Sequence, residues 1–201
     1  MSSKFVKTVL DDWEITPEDF TELIRQNPSL RGMILGYLAE FKLRILFSND
    51  PRISAMRKDD DHDRKRKGDL VVTYRGHEIV FESKSLQTNS IKQIGSNTFS
   101  GKYQCDASDR RRITMPNGIE IETTCLLFGE FDIVAVPLYG FNKRWDFAFA
   151  LNRDLKPSSY KKYPEDVRQY LISSLQDIAL PITPPYTHDI FRLMDTVISE
   201  R

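Results

Sequence analysis

The sequence lacks the features of membrane proteins and of disulfide-stabilised proteins. No apolar run approaches the roughly 18 residues of a membrane-spanning helix, and the first residues contain no apolar segment of the signal-peptide type. The two cysteines, Cys105 and Cys125, form no Cys-x-x-Cys pair, which argues against a disulfide scaffold and against structural zinc. We therefore expect a soluble, cytoplasmic protein with no membrane partner.

Net charge is also absent, because 29 Lys and Arg residues balance 29 Asp and Glu residues. This balance argues against binding nucleic acid through bulk charge, although it leaves local basic surfaces open. The histidines His62, His77 and His188 form no His-x-x-x-His pair, and neither a glycine-rich nucleotide loop nor a serine nucleophile elbow is present. These absences argue against zinc hydrolysis, ββα-metal chemistry, nucleotide binding by a glycine-rich loop and serine-nucleophile catalysis.

The residue patterns predict helices at both ends of the chain and strands between them. The predicted segments are helices over 16–25, 29–47, 164–178 and 188–199, a loop over 49–67, and strands over 120–128, 131–138 and 145–151. They group into N-terminal helices (16–47), a sheet (120–151) and C-terminal helices (164–199) of a single domain, 1–201. This order favours an α/β or α+β layered fold.

A β-hairpin predicted over 68–85 carries the residues with the clearest chemistry. A two-residue turn at Arg75-Gly76 determines its register, which places Asp69 directly opposite Glu82. Lys84 lies two residues beyond Glu82 and therefore projects from the same face. The three side chains should thus converge at the open end of the hairpin.

Two carboxylates opposed across a strand pair repel each other, so this hairpin end needs a compensating charge if it is partly buried. Two carboxylates and water form the hard oxygen site that Mg²⁺ prefers. Such an ion lowers the pKa of bound water and neutralises a phosphodiester, while Lys84 would orient or deprotonate the water or stabilise the phosphorane. The alternative is a solvated strand end, but the apolar residues within both strands favour the catalytic interpretation.

Gly68-Asp69 together with Glu82-Ser83-Lys84 resembles the PD-(D/E)XK nuclease superfamily, to which many type II restriction endonucleases belong. The match covers roughly residues 30–86, and Gly68 stands where the family has a proline. The resemblance implies a restriction-endonuclease-like core, an α/β fold with a central mixed β-sheet flanked by helices. It also implies Mg²⁺-dependent hydrolysis of DNA phosphodiester bonds, usually with 5′-phosphate products, with Mn²⁺ able to replace Mg²⁺.

The same resemblance assigns roles to individual residues. Asp69, Glu82 and the backbone carbonyl of Ser83 become metal ligands, and Lys84 becomes the catalytic lysine. In many members a glutamate from the preceding helix joins the site, and Glu40 is the candidate here.

The helix itself offers two interpretations of Glu40. Gly32 and Gly36 share its helical stripe, and close approach of that face to the sheet would bring Glu40 near the carboxylates. In the alternative, Glu40 pairs with Arg44 at the surface, one turn later. The sequence does not decide between them.

Basic and amide side chains lie on both sides of the hairpin. One group precedes Asp69, although four aspartates interrupt it, and the other lies in a polar segment over 86–118 that we interpret as DNA-reading. The candidates for DNA contact are Arg64, Lys65, Arg66, Lys67, Gln87, Asn89, Lys92, Lys102, Arg110, Arg111 and Arg112. Asp106 and Asp109 fit capping or turns better than a second metal position, and Glu130 and Asp132 are interpreted as strand-end residues.

The sequence therefore predicts a Mg²⁺-dependent endodeoxyribonuclease, similar to type II restriction endonucleases of restriction–modification systems. We expect a homodimer acting on double-stranded DNA, since one active site cuts one strand. The alternatives are a structure-selective or repair nuclease of the same fold, and a nuclease-like DNA-binding protein that does not cut.

Overall fold

The computed structural model describes residues 7–58 and 68–201, which form two compact units, one ending at Leu38 and the other beginning at Ala39. The described helices are α1 (Val9–Asp12), α2 (Pro17–Gln26), α3 (Pro28–Ser48), α4 (Tyr139–Asn142), α5 (Glu165–Arg168) and α6 (Ile190–Ser199). The described strands are β1 (Ile53–Arg57), β2 (Leu70–Tyr74), β3 (His77–Ser83), β4 (Lys92–Gly95), β5 (Thr98–Gln104), β6 (Asp106–Thr114), β7 (Glu120–Cys125), β8 (Ile133–Pro137), β9 (Phe147–Leu151) and β10 (Leu175–Leu180). None of these helices combines the length and the apolar character needed to span a membrane.

In the first unit, capping determines where α2 begins. The Thr16 hydroxyl accepts a hydrogen bond from the backbone N–H of Asp19 at 3.0 Å, and the Asp19 carboxylate accepts one from the Thr16 N–H at 3.1 Å. This capping box precedes Pro17, which suits the first helical position. The helices predicted over 16–25 and 29–47 are confirmed as α2 and α3.

The second unit is built on a five-stranded sheet with the strand order β1-β2-β3-β8-β9. β3 and β8 run parallel, with Phe81 opposite Ile133, and the other neighbours are antiparallel. Every residue of β8 and β9 is buried, as expected for strands covered on both faces. The predicted α/β organisation, a mixed central sheet with helices, is therefore confirmed.

Two apolar layers enclose this sheet. Leu43 and Phe47 of α3 pack with Met194 of α6 on one face. On the other face, Tyr103 of β5 packs against Val134, where a second sheet of order β10-β5-β4 covers the first. β3 is the central strand of the five, so its C-terminal end lies between these layers.

The prediction of a loop over 49–67 is wrong for the residues that form the strand β1, Ile53–Arg57. β1 is an edge strand that pairs antiparallel with β2, and most of its residues are exposed or half-buried. It therefore lacks the alternation of apolar residues by which a strand is recognised in a sequence. Residues 59–67 lie outside the described part of the chain.

The polar segment over 86–118 contains three strands, β4, β5 and β6. On β5, Phe99, Gly101 and Tyr103 face the interior and alternate with exposed residues such as Lys102. The alternation is present in the sequence, but a glycine and several small polar residues weaken it. This region is therefore more regular than its composition indicates.

The single helix predicted over 164–178 is also wrong. Only α5 is helical, and β10 follows it, pairing antiparallel with β5. In β10, Gln176 and Ile178 are buried whereas Leu175 and Asp177 are exposed, which is the period of a strand. Pairing with β5 outweighs the local helical pattern. The last predicted helix, 188–199, is confirmed as α6.

Candidate active site

The β2–β3 hairpin has the register that its turn predicts. Arg75 and Gly76 both have positive φ, 50° and 80°, as a type I′ turn requires. The pairing runs from Tyr74 opposite His77 to Leu70 opposite Phe81. Asp69 lies one residue beyond this ladder, and its backbone N–H donates to the Phe81 carbonyl at 2.8 Å. Continuing the same register places Asp69 opposite Glu82.

Gly68 has a conformation that only glycine adopts readily. Its φ is +83°, and a Cβ atom built there would lie 2.3 Å from Val80 Cγ1 and 2.9 Å from the Phe81 carbonyl oxygen. Proline, which the resembled family has at this position, is restricted to negative φ and could not adopt this conformation. At this position the chain therefore departs from the family pattern, and its glycine allows the backbone conformation that places Asp69.

The structure brings Asp69, Glu82, Ser83 and Lys84 together. The Ser83 backbone N–H donates to Asp69 Oδ2 at 2.7 Å, and Lys84 Nζ lies 2.7 Å from Glu82 Oε1. Lys84 Nζ also donates to the backbone carbonyl of Asp106 at 2.9 Å. We call these four residues the candidate active site.

Burial makes this cluster electrostatically unusual. Glu82 is 7% exposed, although it is a glutamate. Burial, reinforced by the neighbouring charge of Glu82, raises the pKa of Asp69 to about 7, against the opposing effects of Lys84 and the Ser83 N–H. For Lys84, burial disfavours the ammonium, but the carboxylates of Glu82 and Asp69 outweigh burial and raise its pKa.

Glu40 lies near this cluster but has a partner that the sequence did not indicate. Its Oε2 atom is 2.7 Å from Lys58 Nζ, whereas Arg44 lies over the ring of Phe41, 5.7 Å from its centroid. The negative charge of Glu40 contributes to the raised pKa of Asp69, so the two carboxylates interact. Of the two interpretations that the sequence left open, the Glu40–Arg44 pair is therefore not the one found, since Glu40 pairs with Lys58.

Gly32 and Gly36 belong to the first unit, whereas Glu40 and the sheet belong to the second. The close approach of the glycine stripe to the sheet therefore stays a prediction.

The oxygen donors of the candidate active site fit a hard cation that keeps several waters. In the described part of the chain, no group of three or more His, Cys, Asp or Glu side chains converges to hold a metal ion. Any metal here would depend on Asp69, Glu82, the Ser83 carbonyl and water, a donor set that suits Mg²⁺. Ser83 Oγ is buried without a hydrogen-bond partner, which is a further polar atom available beside these ligands.

Asp106 contributes to the site through its backbone, which the sequence did not reveal. Its carbonyl accepts from Lys84, while its carboxylate accepts from Gln104 Nε2 at 2.9 Å. Sequence patterns favoured a capping or turn role over a second metal position for this residue. A backbone acceptor has no side-chain signature, so only the tertiary placement of Asp106 next to Lys84 could identify it.

The predicted DNA-contacting residues lie in several places. Arg64, Lys65, Arg66 and Lys67 lie outside the described residues. Gln87 and Asn89 lie between β3 and β4, and the Gln87 side chain donates to Gln104 Oε1 at 3.2 Å. Lys92 and Lys102 are exposed on β4 and β5, and Lys102 pairs with Asp177 at 2.8 Å.

The three consecutive arginines of β6 differ from one another. Arg110 and Arg112 are exposed. Arg111 points inward, where its guanidinium binds the Glu130 carboxylate and donates to the Cys125 carbonyl at 3.1 Å. Glu130 also accepts from the Leu127 N–H at 2.8 Å, so Arg111 and Glu130 form a half-buried structural pair.

Asp132 also has a structural role. Its carboxylate accepts from the Val80 N–H at 2.8 Å and forms two contacts of 2.7 Å with the Arg201 guanidinium. It therefore ties the last residue of the chain to the start of β8.

None of the family models or curated proteins compared with the chain matches it. The solved structure of a bacterial homing endonuclease, I-Ssp6803I, is similar with a TM-score of 0.44 and 14% sequence identity. The similarity covers 83% of this chain and 95% of that chain. At this TM-score and identity, the similarity supports no argument about fold or function.

Proposed function

We propose that this chain is a Mg²⁺-dependent endodeoxyribonuclease with a restriction-endonuclease-like core of the PD-(D/E)XK type. The observation that supports it best is the convergence of Asp69, Glu82 and Lys84 at the enclosed end of β3. Buried like charges destabilise a fold, and strongly perturbed carboxylates are concentrated at functional sites. A surface strand end would not need this burial.

Asp69, Glu82 and the backbone carbonyl of Ser83 would hold the metal ion, with water as the remaining ligands. Bound Mg²⁺, or Mn²⁺ in its place, would neutralise charge on the phosphodiester and lower the pKa of a coordinated water. Asp69 accepts a hydrogen bond from the Ser83 N–H and Glu82 pairs with Lys84, so the protein's own groups orient both carboxylates. This preorganisation is what a catalytic site requires.

Lys84 would supply positive charge at a defined position. Its Nζ is held between Glu82 and the Asp106 carbonyl rather than extending into solvent. A phosphodiester bound at the carboxylates would meet this ammonium, which would stabilise the charge developing on a phosphoryl oxygen. Hydrolysis forms a bond from water to phosphorus and breaks the bond from phosphorus to O3′, which leaves a 5′-phosphate.

The exposed basic residues of the second unit would bind the DNA backbone. Lys92, Lys102, Arg110 and Arg112 are exposed and suited to phosphate contacts, which supply affinity without sequence information. Arg111 is not part of this proposed surface, because Glu130 holds its guanidinium.

We also propose a homodimer, because the proposed activity would cut both strands of a duplex. One site of this kind cuts one strand, so double-strand cleavage is most directly achieved by two copies related by twofold symmetry. Sedimentation velocity with and without duplex DNA tests this directly. A monomer that cuts both strands would contradict it.

Plasmid cleavage tests the enzymatic proposal. We expect cutting of double-stranded DNA in Mg²⁺, none in EDTA, and products with 5′-phosphate ends. Asp69→Asn should abolish cutting, while Asp154→Asn, a matched change at an exposed aspartate, should retain it. No Mg²⁺-dependent cutting by the natural chain, or full cutting by Asp69→Asn, would overturn the proposal.

The same experiment separates the alternatives. Cleavage at a constant sequence supports a restriction-type enzyme, whereas cleavage at flaps or junctions regardless of sequence supports a structure-selective or repair nuclease. DNA binding without cleavage would instead support the non-cleaving DNA-binding protein.

A further inference from the structure

The β4–β5 strand pair, residues 92–104, differs from the rest of the chain in charge. No aspartate or glutamate lies between Glu82 and Asp106, although the whole chain contains 29. The same stretch contains Lys84, Lys92 and Lys102 and is rich in Asn, Gln, Ser and Thr. We call this strand pair the β4–β5 ribbon.

The outer part of the ribbon adds little to the core. All four residues of β4 are exposed, and so are Ser96 and Asn97 of the turn, with Ile94 67% exposed. On β5, the inward-facing residues begin at Phe99. A strand pair exposed on both faces gains almost nothing from apolar burial, so stability does not account for its sequence.

Polar side chains of the ribbon have few partners within the chain. Lys92 begins β4, opposite Ser100, and Asn97 lies in the turn at the tip. Within the described residues, the Lys92 ammonium has no ion pair and the Asn97 amide has no hydrogen bond. The Gln93 side chain donates to the carbonyl of Gly95 at 3.1 Å. The ribbon therefore presents a cation near its base and an amide at its tip, without a carboxylate of its own to repel an anion.

We propose that the β4–β5 ribbon enters the major groove of B-form DNA and makes the nuclease sequence-specific. This inference rests on the proposed function. It specifies the substrate as duplex DNA whose sequence is recognised through the base edges. The major groove is about 12 Å wide and admits a two-stranded β-ribbon, and an Asn side chain can bind adenine through two hydrogen bonds. Asn97 is the base-reading residue, and Lys92 contacts a phosphate.

The ribbon base is joined to the candidate active site. The Gln87 N–H donates to the Lys102 carbonyl at 2.9 Å, and the chain leaves β5 towards Asp106, whose carbonyl binds Lys84. Asp106 is eight residue steps beyond Thr98, which is about 26 Å of extended chain. Since base pairs are stacked about 3.4 Å apart, bases read at the tip lie within about eight base pairs of the cut.

Two selections from one randomised duplex DNA library test the inference. One recovers DNA bound in EDTA, and the other recovers DNA cut in Mg²⁺. The proteins are the natural chain, Asn97→Ala, Lys92→Gln and the control Gln169→Ala, which removes an exposed amide outside the ribbon. Thermal unfolding confirms that each variant is folded.

We expect the natural chain to enrich a defined sequence in both selections. Asn97→Ala should lose about tenfold discrimination at one or two base pairs within about eight of the cut. Lys92→Gln should keep the sequence preference but weaken binding uniformly, with a salt slope smaller by about 0.9. The control should behave like the natural chain.

Several outcomes would overturn the inference. Absence of an enriched sequence, or an unchanged preference in Asn97→Ala, would remove the ribbon from recognition even if the protein cuts DNA. A change of oligomeric state in Ile94→Ser would show that the ribbon binds a second copy instead. Enrichment without cleavage would keep the ribbon proposal and defeat the nuclease proposal, so the two failures are distinguishable.

Discussion

The β2–β3 hairpin and the β4–β5 ribbon are both antiparallel strand pairs, but their polar side chains have opposite environments. At the end of the hairpin, Glu82 and Lys84 are almost enclosed and bonded to each other. On the ribbon, Lys92 at the start of β4 and Asn97 in the turn are exposed, and their side chains have no partner among the described residues. The hairpin therefore concentrates charge, while the ribbon leaves the Lys92 ammonium and the Asn97 amide available to another molecule.

Under the proposed function, this difference would assign chemistry to the end of the hairpin and recognition of DNA to the ribbon. Burying carboxylates lowers the stability of the fold. Proteins keep buried carboxylates where function needs their electrostatic field. Exposed amides and lysines cost little and can contact many surfaces. The proposed nuclease would thus combine a rigid, buried catalytic end with an exposed reading ribbon, joined through Asp106.

Removing Lys84 should have the largest effect on cleavage. We expect Lys84→Met to lower kcat about a hundredfold to a thousandfold, because a positioned charge at the reacting group is lost. DNA affinity should change little, since the ribbon and Arg112 remain. Lys162→Met, at an exposed lysine, is the control. An equal loss of binding would mean that Lys84 acts mainly in DNA contact.

Arg111 and Arg112 should separate stability from DNA binding. Arg111→Met leaves the half-buried Glu130 carboxylate without its partner, so we expect the free energy of unfolding to fall by about 3 kcal/mol. Arg112→Met should stay within about 0.5 kcal/mol of the natural chain but weaken DNA binding. Chemical denaturation and salt-dependent binding measure the two effects, and equal stabilities would contradict the structural role of Arg111.

Asp69 should make metal-free stability depend on pH. The carboxyl of Asp69 loses its proton near pH 7 in the folded chain but near its ordinary pKa of 3.8 when unfolded. Between these values the folded state binds more protons, so the free energy of unfolding falls as pH rises through this window.

Asp69→Asn removes the ionisable carboxyl and with it the fall in the free energy of unfolding at higher pH. The variant should therefore be more stable than the natural chain at pH 8. Each pKa unit corresponds to 1.36 kcal/mol, and solvent screens this half-buried site, so we expect a gain of about 2 kcal/mol. The gain should disappear near pH 4. Mg²⁺ should raise the melting temperature of the natural chain at pH 8 but not that of the variant, and an identical response of both would argue against the metal site.

Glu40 should have the smallest effect. We expect Glu40→Gln to raise the Mg²⁺ concentration for half-maximal cleavage about tenfold, the range typical of residues that support metal ligands. Glu165→Gln, at an exposed glutamate, is the matched control. A response unchanged by Glu40→Gln would show that Glu40 serves only Lys58.

The hairpin was predictable because its information is local. Arg75-Gly76 determines the turn, the turn determines the register, and the register places Asp69 opposite Glu82. α2 was predictable for the same reason, since Thr16, Pro17 and Asp19 form its cap within four residues. Neither element depends on distant parts of the chain to choose its conformation.

Other elements depended on distant partners. β10 forms a strand because β5 is available to pair with it, although its own sequence is compatible with a helix. Glu40 binds Lys58 rather than Arg44, because the partner is set by how β1 and α3 are placed. Arg111 and Arg112 are adjacent in sequence, and only the pairing of β6 with β7 turns one inward and the other outward.

The sequence by itself determined the capped helices, the hairpin and the meeting of Asp69, Glu82 and Lys84, because each follows from contacts a few residues apart or across one tight turn. Tertiary structure alone decided the burial of Glu82, the partners of Glu40, Lys84 and Arg111, and the exposure of the β4–β5 ribbon. Burial and long-range pairing depend on which surfaces the whole chain brings together. No local pattern specifies them, and they distinguish the buried charges at the end of the hairpin from the solvated charge of the ribbon.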